Sequence, residues 1–103
     1  MSMQEKGEYM ENGLLWFGSA GCNVCQALRP KVRALIEAEF PKLEFEYVDV
    51  AEDPALAAQH RVFTVPVAIA VFERRETHRW VRAFGIDEIR EKLARPYSLL
   101  FGD

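Results

Sequence analysis

No stretch of this 103-residue chain is long enough to span a membrane, since the apolar run Leu14-Leu15-Trp16-Phe17 falls far short of the roughly 20 residues required. A strong charge of either sign is missing too. The formal net charge is −3 and no block of basic residues occurs, which argues against a nucleic-acid or anionic-membrane surface. No internal repeat, low-complexity tract or linker interrupts the chain, so one domain is expected over residues 1–103. Residues 1–12 are polar and carry three glutamates, without the basic and then apolar pattern of a secretory signal, so the expected location is cytoplasmic. Cysteine is scarce, with only Cys22 and Cys25. A pair in such a context points to redox or metal chemistry before structural cross-linking.

What is present is the material of a globular core. Hydrophobic residues make up 50% of the chain and charged residues 28%, the balance of a folded protein rather than a disordered one. Leu14 to Phe17 reads as a short buried strand, ended by the small, flexible run Gly18-Ser19-Ala20-Gly21. Val24, Leu28, Val32, Leu35, Ile36 and Phe40 recur at spacings of three and four and predict a helix from about Cys22 to Phe40. Pro30 removes one backbone hydrogen bond inside it and predicts a kink, and Pro41 marks the stop. Leu43 to Val50 alternates as a strand. Asp53-Pro54 then reads as a cap and first turn of a short helix to about His60.

Pro66 to Phe72 is a second apolar strand, Glu73 to Glu76 a polar turn, and Thr77 to Phe84 the returning strand of a hairpin. Asp87 is placed to cap a final helix through Leu93 or Ala94, ending before Pro96. In the tail, 96–103, the segment Tyr97 to Phe101 is apolar, fit to cover a sheet edge, pack on the last helix or meet a second subunit. The order predicts an α/β fold with a central mixed four-stranded sheet and helices on both faces.

Cys22-Asn23-Val24-Cys25 sits where a loop enters the long helix. Free backbone N–H groups and the positive dipole end there favour a thiolate over a thiol. Cys22 is the better exposed sulfur, and Cys25 lies one turn deeper. The arrangement suits attack by Cys22 on a partner disulfide, followed by resolution of the mixed disulfide by Cys25. Other readings stay open on spacing alone. A zinc site would need His60 and His78 as further ligands, far apart in sequence. A metal or iron–sulfur centre shared between subunits, a structural disulfide over a very short loop, or two inert thiols would also fit the spacing.

In this context the sequence resembles the thioredoxin superfamily over about Leu14 to Ala94. The landmarks run in order: the CxxC after a buried strand, Pro30 as the kink proline, Tyr47 to Ala57 as the strand-to-helix passage, and Thr64-Val65-Pro66 as the cis-proline signature. The resemblance implies a thiol–disulfide oxidoreductase with Cys22 as nucleophile and Cys25 as resolving thiol. It also implies a cis Pro66 beside Cys22, leaving the Val65 backbone to pair with an extended substrate segment. Thr64, Val65 and Pro66 are thus expected to bind substrate. Phe63, on the loop before them, either forms an apolar docking surface with Val24 and Ala20 or is buried. No metal or organic cofactor is expected. The partners implied are a disulfide-containing protein and an upstream thiol reductant.

Departures from the family are equally specific. Asn23-Val24 replaces both the Gly-Pro of thioredoxins and the Pro-Tyr of glutaredoxins, and Gly21 replaces the tryptophan before the first cysteine. The N-terminal strand and helix of full-length thioredoxins are missing, which implies a trimmed fold. Gly85-Ile86-Asp87 only loosely echoes the glutathione-binding pattern of glutaredoxins. Trp16 falls where thioredoxins keep a buried aspartate, and Tyr47 where its lysine partner is found. Replacing both leaves no unpaired buried charge. The two aromatics either adjoin beneath Cys25 and keep its thiol from ionising, with water or the Tyr47 hydroxyl serving resolution, or simply fill the core. Arg74, Arg75, Arg79 and Arg82 read as a solvated edge. A binding module without turnover, and a subunit-bridging metal site, are the alternative functions.

Overall fold

The computed structural model describes residues 10–102. Positions 1–9 of the polar N-terminal segment, and Asp103 of the tail, lie outside the described residues. The buried run at Leu14–Phe17 forms the heart of β1 (Asn12–Gly18). This strand pairs in parallel with β2 (Glu44–Asp49) and antiparallel with β3 (Val67–Phe72), which forms a hairpin with β4 (Arg75–Val81). The sheet order is β2-β1-β3-β4. β1 and β3 are inner strands covered on both faces, which is why they read as continuous apolar runs rather than as alternations.

The strand period of two divides those runs between two cores. Leu14, Trp16, Ala68 and Ala70 face α1 (Asn23–Glu39) and α3 (Ile86–Phe101). Leu15, Phe17, Val67, Ile69 and Val71 face the short α2 (Pro54–Gln59). Helices therefore cover both faces of a mixed four-stranded sheet. The Asp53 carboxylate caps α2 by accepting from Leu56 N–H at 3.2 Å, and Pro54 occupies the first turn.

Two expectations are corrected. The final helix does not start from an Asp87 cap or stop before Pro96: it runs Ile86–Phe101, with Gly85 as its N-cap and Pro96 inside. Glu88 accepts from Gly85 N–H at 2.9 Å, and Asp87 sits in the first turn. Proline forfeits one helical hydrogen bond, but the turn beyond it is held by packing. Tyr97 makes an edge contact with Phe40 at 5.2 Å and accepts from Lys42 N–H at 3.2 Å, and Phe101 packs on Tyr97. The apolar tail is thus a helical turn packed against the end of α1.

The hairpin also turns earlier than the sequence suggests. Glu73 and Arg74 form the turn with φ of 54° and 68°, so β4 begins at Arg75 rather than Thr77. Neither is a residue type that advertises positive φ, so the turn carries no glycine or asparagine signal. A bulge then inserts Thr77, because Glu76 pairs with Val71 while His78 pairs with Ala70. That extra residue brings Glu76 and Arg79 onto the same face of the sheet.

Sheet pairing also decides what meets at one end. β1 and β2 finish together because they run parallel, and β3 starts there because Phe17 pairs with Val67. The loops after Gly18, after Asp49 and before Val67 therefore emerge side by side.

Candidate active site

Cys22 is the N-cap of α1, with extended backbone angles of −97° and 105°. Its sulfur accepts from Cys25 N–H at 3.1 Å, so one of the free donors of the helix end already points at it. The same loop is braced by Cys22 N–H to the Ser19 carbonyl at 3.2 Å and by Gln26 Nε2 to that carbonyl at 2.8 Å. Cys22 and Cys25 are joined as a disulfide, with their Cα atoms 5.2 Å apart. Cys22 is half-buried whereas Cys25 is fully enclosed. In chemical terms one sulfur is open to attack or to attack others, and the second waits behind it.

The Val65–Pro66 peptide is cis. Pro66 is buried, Thr64 and Val65 are half-buried, and Phe63 is 82% exposed. The Pro66 carbonyl accepts from Arg82 N–H at 2.8 Å, which ties the loop to the end of β4. Because this segment runs straight into β3, it shares the sheet end with the cysteine loop. A mainly apolar cavity of about 360 Å3 opens there, lined by Val50, Pro54, Ala57, Val62, Phe63 and Val65. Val24, on the first turn of α1, is 53% exposed.

Arg79 is not part of a solvated edge, as its neighbours in sequence suggested. It makes a two-pronged ion pair with Glu76, at 2.7 and 2.8 Å, and donates to the carbonyls of His60 at 2.9 Å and Arg61 at 3.3 Å. The hydrogen bonds between the two side chains hold the Glu76 carboxyl below the ordinary carboxylate range and raise the Arg79 guanidinium. The pair pins the chain at His60 and Arg61, where α2 ends, four and three residues before Thr64. The bulge that makes this pair possible leaves no clear mark in the sequence, so Arg79 could not be told from its neighbours there. Gln26 was missed for a similar reason, since a glutamine on an exposed helical face carries no signal.

Trp16 and Tyr47 are register partners across β1 and β2. Trp16 is fully buried, its ring edge-on to Phe84 at 5.7 Å, and its Nε1 has no hydrogen-bond partner among the described residues. Tyr47 is half-buried, with the Arg29 guanidinium 3.4 Å from its ring centroid. Gly18 mediates its approach to the cysteines: a Cβ there would meet Cys25 Sγ at 3.4 Å and Tyr47 Cε1 at 3.3 Å. Among the described residues no group of three His, Cys, Asp or Glu side chains is placed to hold a metal ion. His60 caps α2 against Phe17, while His78 meets the Trp80 ring edge-on in the hairpin.

No protein-family model matches the chain. Among solved structures, thioredoxin 1 from the thermophilic eubacterium Thermosipho africanus superposes with a TM-score of 0.78 and 31% identity, covering 85% of this chain and 97% of that one. Thioredoxin from Fasciola hepatica superposes with a TM-score of 0.74 and 29% identity, over 82% of this chain and 80% of that one. Among curated proteins, the thioredoxin-like protein YdfQ of Bacillus subtilis is 28% identical over 89 residues, 86% of this chain and 79% of the relative.

Proposed function

Because the chain belongs to the thioredoxin-like superfamily, we propose that it is a thiol–disulfide oxidoreductase acting on the disulfide of a partner protein. The observation that carries this reading is the asymmetry of the bonded pair: Cys22 half-open at a helix N-terminus, Cys25 fully enclosed one turn behind. In the reduced protein the Cys22 thiolate attacks one sulfur of the partner disulfide and expels the other as a thiolate, which takes up a proton. The Cys25 thiol then loses its proton and attacks Cys22 Sγ, breaking the mixed disulfide and releasing the second partner sulfur. Two electrons pass to the partner and the Cys22–Cys25 bond remains.

Thr64, Val65 and Pro66 are assigned to the partner's extended backbone, which the free polar groups of Val65 would pair as an added strand. Phe63 and Val24 supply exposed apolar surface for its side chains. A thiol reductant in a reducing cell interior would return the pair to its dithiol form.

The test is the reduction potential of the pair, read by equilibrating the protein in graded thiol–disulfide buffers. A reversible two-electron transition near about −270 mV assigns a reductase, and one towards about −120 mV an oxidant. A folded protein with no reversible transition refutes the catalytic reading in favour of a binding module.

A further inference from the structure

We propose that Arg29 and Tyr47 form a positioning pair for the resolving cysteine: the Tyr47 ring, seated under the Arg29 guanidinium, walls Cys25 from solvent while the guanidinium charge sets the pH at which Cys25 gives up its proton. The proposal rests on the thiol–disulfide reading above. Cys25 must ionise to resolve the mixed disulfide, yet it is 0% exposed, and apolar burial holds a thiol protonated. The N-terminal end of α1 offsets part of that burial, and a side-chain charge would add to it. The core supplies none, because among the described residues no polar or charged residue is buried in it. Leu14 to Gly18 of β1 and all of β3 carry no ionisable side chain, nor do Thr64, Val65 and Pro66.

The β2 side differs. Gly18 has no side chain between the Cys25 sulfur and the Tyr47 ring, and the two flank its empty Cβ position at 3.4 and 3.3 Å. Arg29 follows Cys25 by one helical turn, so it projects from the same side of α1. Its guanidinium lies 3.4 Å from the centroid of the Tyr47 ring. Beyond this pair a cavity of about 310 Å3 leads outward, with Gln26, Asp49, Glu52 and Asp53 completing its polar lining. Asp49 accepts from Ala51 and Glu52 N–H at 2.9 and 3.3 Å, and Asp53 accepts from Leu56 N–H, so these two carboxylates hold backbone donors, while Glu52 is exposed to solvent. Arg29 is the cation of that lining. A cation stacked on an aromatic face acts on the sulfur across the ring rather than across water, and positive charge favours the thiolate.

In the step itself, the Cys25 S–H bond breaks and its proton leaves to water. The new thiolate bonds to Cys22 Sγ, and the partner sulfur departs with the electron pair.

The experiment uses the full reduced chain and the aromatic disulfide 5,5′-dithiobis(2-nitrobenzoate) in stopped flow from pH 5.5 to 9. The first thiolate released reports Cys22 and the second reports Cys25. Arg29→Gln is expected to slow the second release about threefold to tenfold at pH 7 and to move its pH profile up by about half to one unit. Under the same conditions its first release stays within about twofold of wild type. Arg29→Lys should recover part of the loss, and Tyr47→Phe should match wild type because the ring, not the hydroxyl, is the seat. A second-release profile for Arg29→Gln that superimposes on wild type overturns the inference while leaving the redox reading intact. A shifted profile for Tyr47→Phe overturns the assignment to the ring. A wild type with no release at all overturns the redox reading, and this inference with it.

Discussion

Replacing Gly18 by alanine tests how tightly the cysteine pair is built into the sheet. A Cβ on Gly18 would stand 3.1 Å from Cys25 Cβ, 3.3 Å from Tyr47 Cε1 and 3.4 Å from Cys25 Sγ, so the neighbours must each give by a few tenths of an ångström. None is free to do so. Cys25 is fixed by its helix and its disulfide, and Tyr47 by pairing with Trp16 and by the stacked Arg29. Overpacking of this kind costs about 1–3 kcal/mol. At about 4–8 °C per kcal/mol for a chain this size, Gly18→Ala should lower the Tm of the oxidised protein by roughly 5–20 °C. Gly21→Ala is the matched control, since nothing lies within 4 Å of its Cβ position and its φ is not positive. It should stabilise by up to about 1 kcal/mol, through the lower entropy of its unfolded chain. Thermal unfolding followed by far-UV circular dichroism separates the two. A Gly18→Ala protein melting within a degree or two of wild type, or a Gly21→Ala protein falling as far, refutes the reasoning.

Asp53→Ala removes the cap of α2 and should cost about 1 kcal/mol, with Asp53→Asn close to wild type, measurable by urea unfolding. The Glu76 carboxyl lies below its ordinary value of 4.5 in the folded chain, so its stabilisation is present above that value and is lost as pH falls through the lower, folded one. Wild type should therefore lose stability more steeply than Glu76→Gln below about pH 4.5, by less than about 1 kcal/mol because the pair is partly exposed; parallel curves would refute the assignment. Phe63→Ser should leave stability within about 0.5 kcal/mol, since the ring is 82% exposed. Its reaction with a protein disulfide should slow several-fold while that with a small aromatic disulfide does not, a difference kinetics on the two substrates reads directly.

The sheet and its site are legible in sequence where one residue type has one physical job. Cys22 and Cys25 at a helix mouth, Pro54 after Asp53, and the unbroken apolar runs of β1 and β3 each point to their own position. Legibility fails where tertiary packing overrides a local rule. Pro96 reads as a stop, but Tyr97 packs on Phe40 and Phe101 on Tyr97, and the helix carries on. Glu73 and Arg74 adopt positive φ without glycine, which moves the hairpin turn and shifts every pairing in β4. The Thr77 bulge is equally unmarked in sequence, and from it comes the Glu76–Arg79 pair that reaches the end of α2. A residue whose role depends on a register cannot be read before the register is known.

The aromatics at Trp16 and Tyr47 give this dependence a functional form. At these two positions the family resemblance places a buried carboxylate and its cationic partner. Burying such a pair carries a desolvation penalty that its attraction can fail to recover, and losing one member alone would strand a charge. Here both positions are aromatic and paired in register, and the cation sits instead on the adjoining helix, at the half-exposed rim. Moved there, the charge is only partly buried. Its field still reaches the enclosed sulfur, because the intervening matter is a ring and a glycine rather than water. The geometry thus separates two tasks that one buried pair would combine: Trp16 fills the core, and Arg29 tunes the thiol. A substitution at Arg29 should accordingly move the pH of resolution with little change in stability, whereas Trp16→Ala should cost about 3–5 kcal/mol whatever the pH.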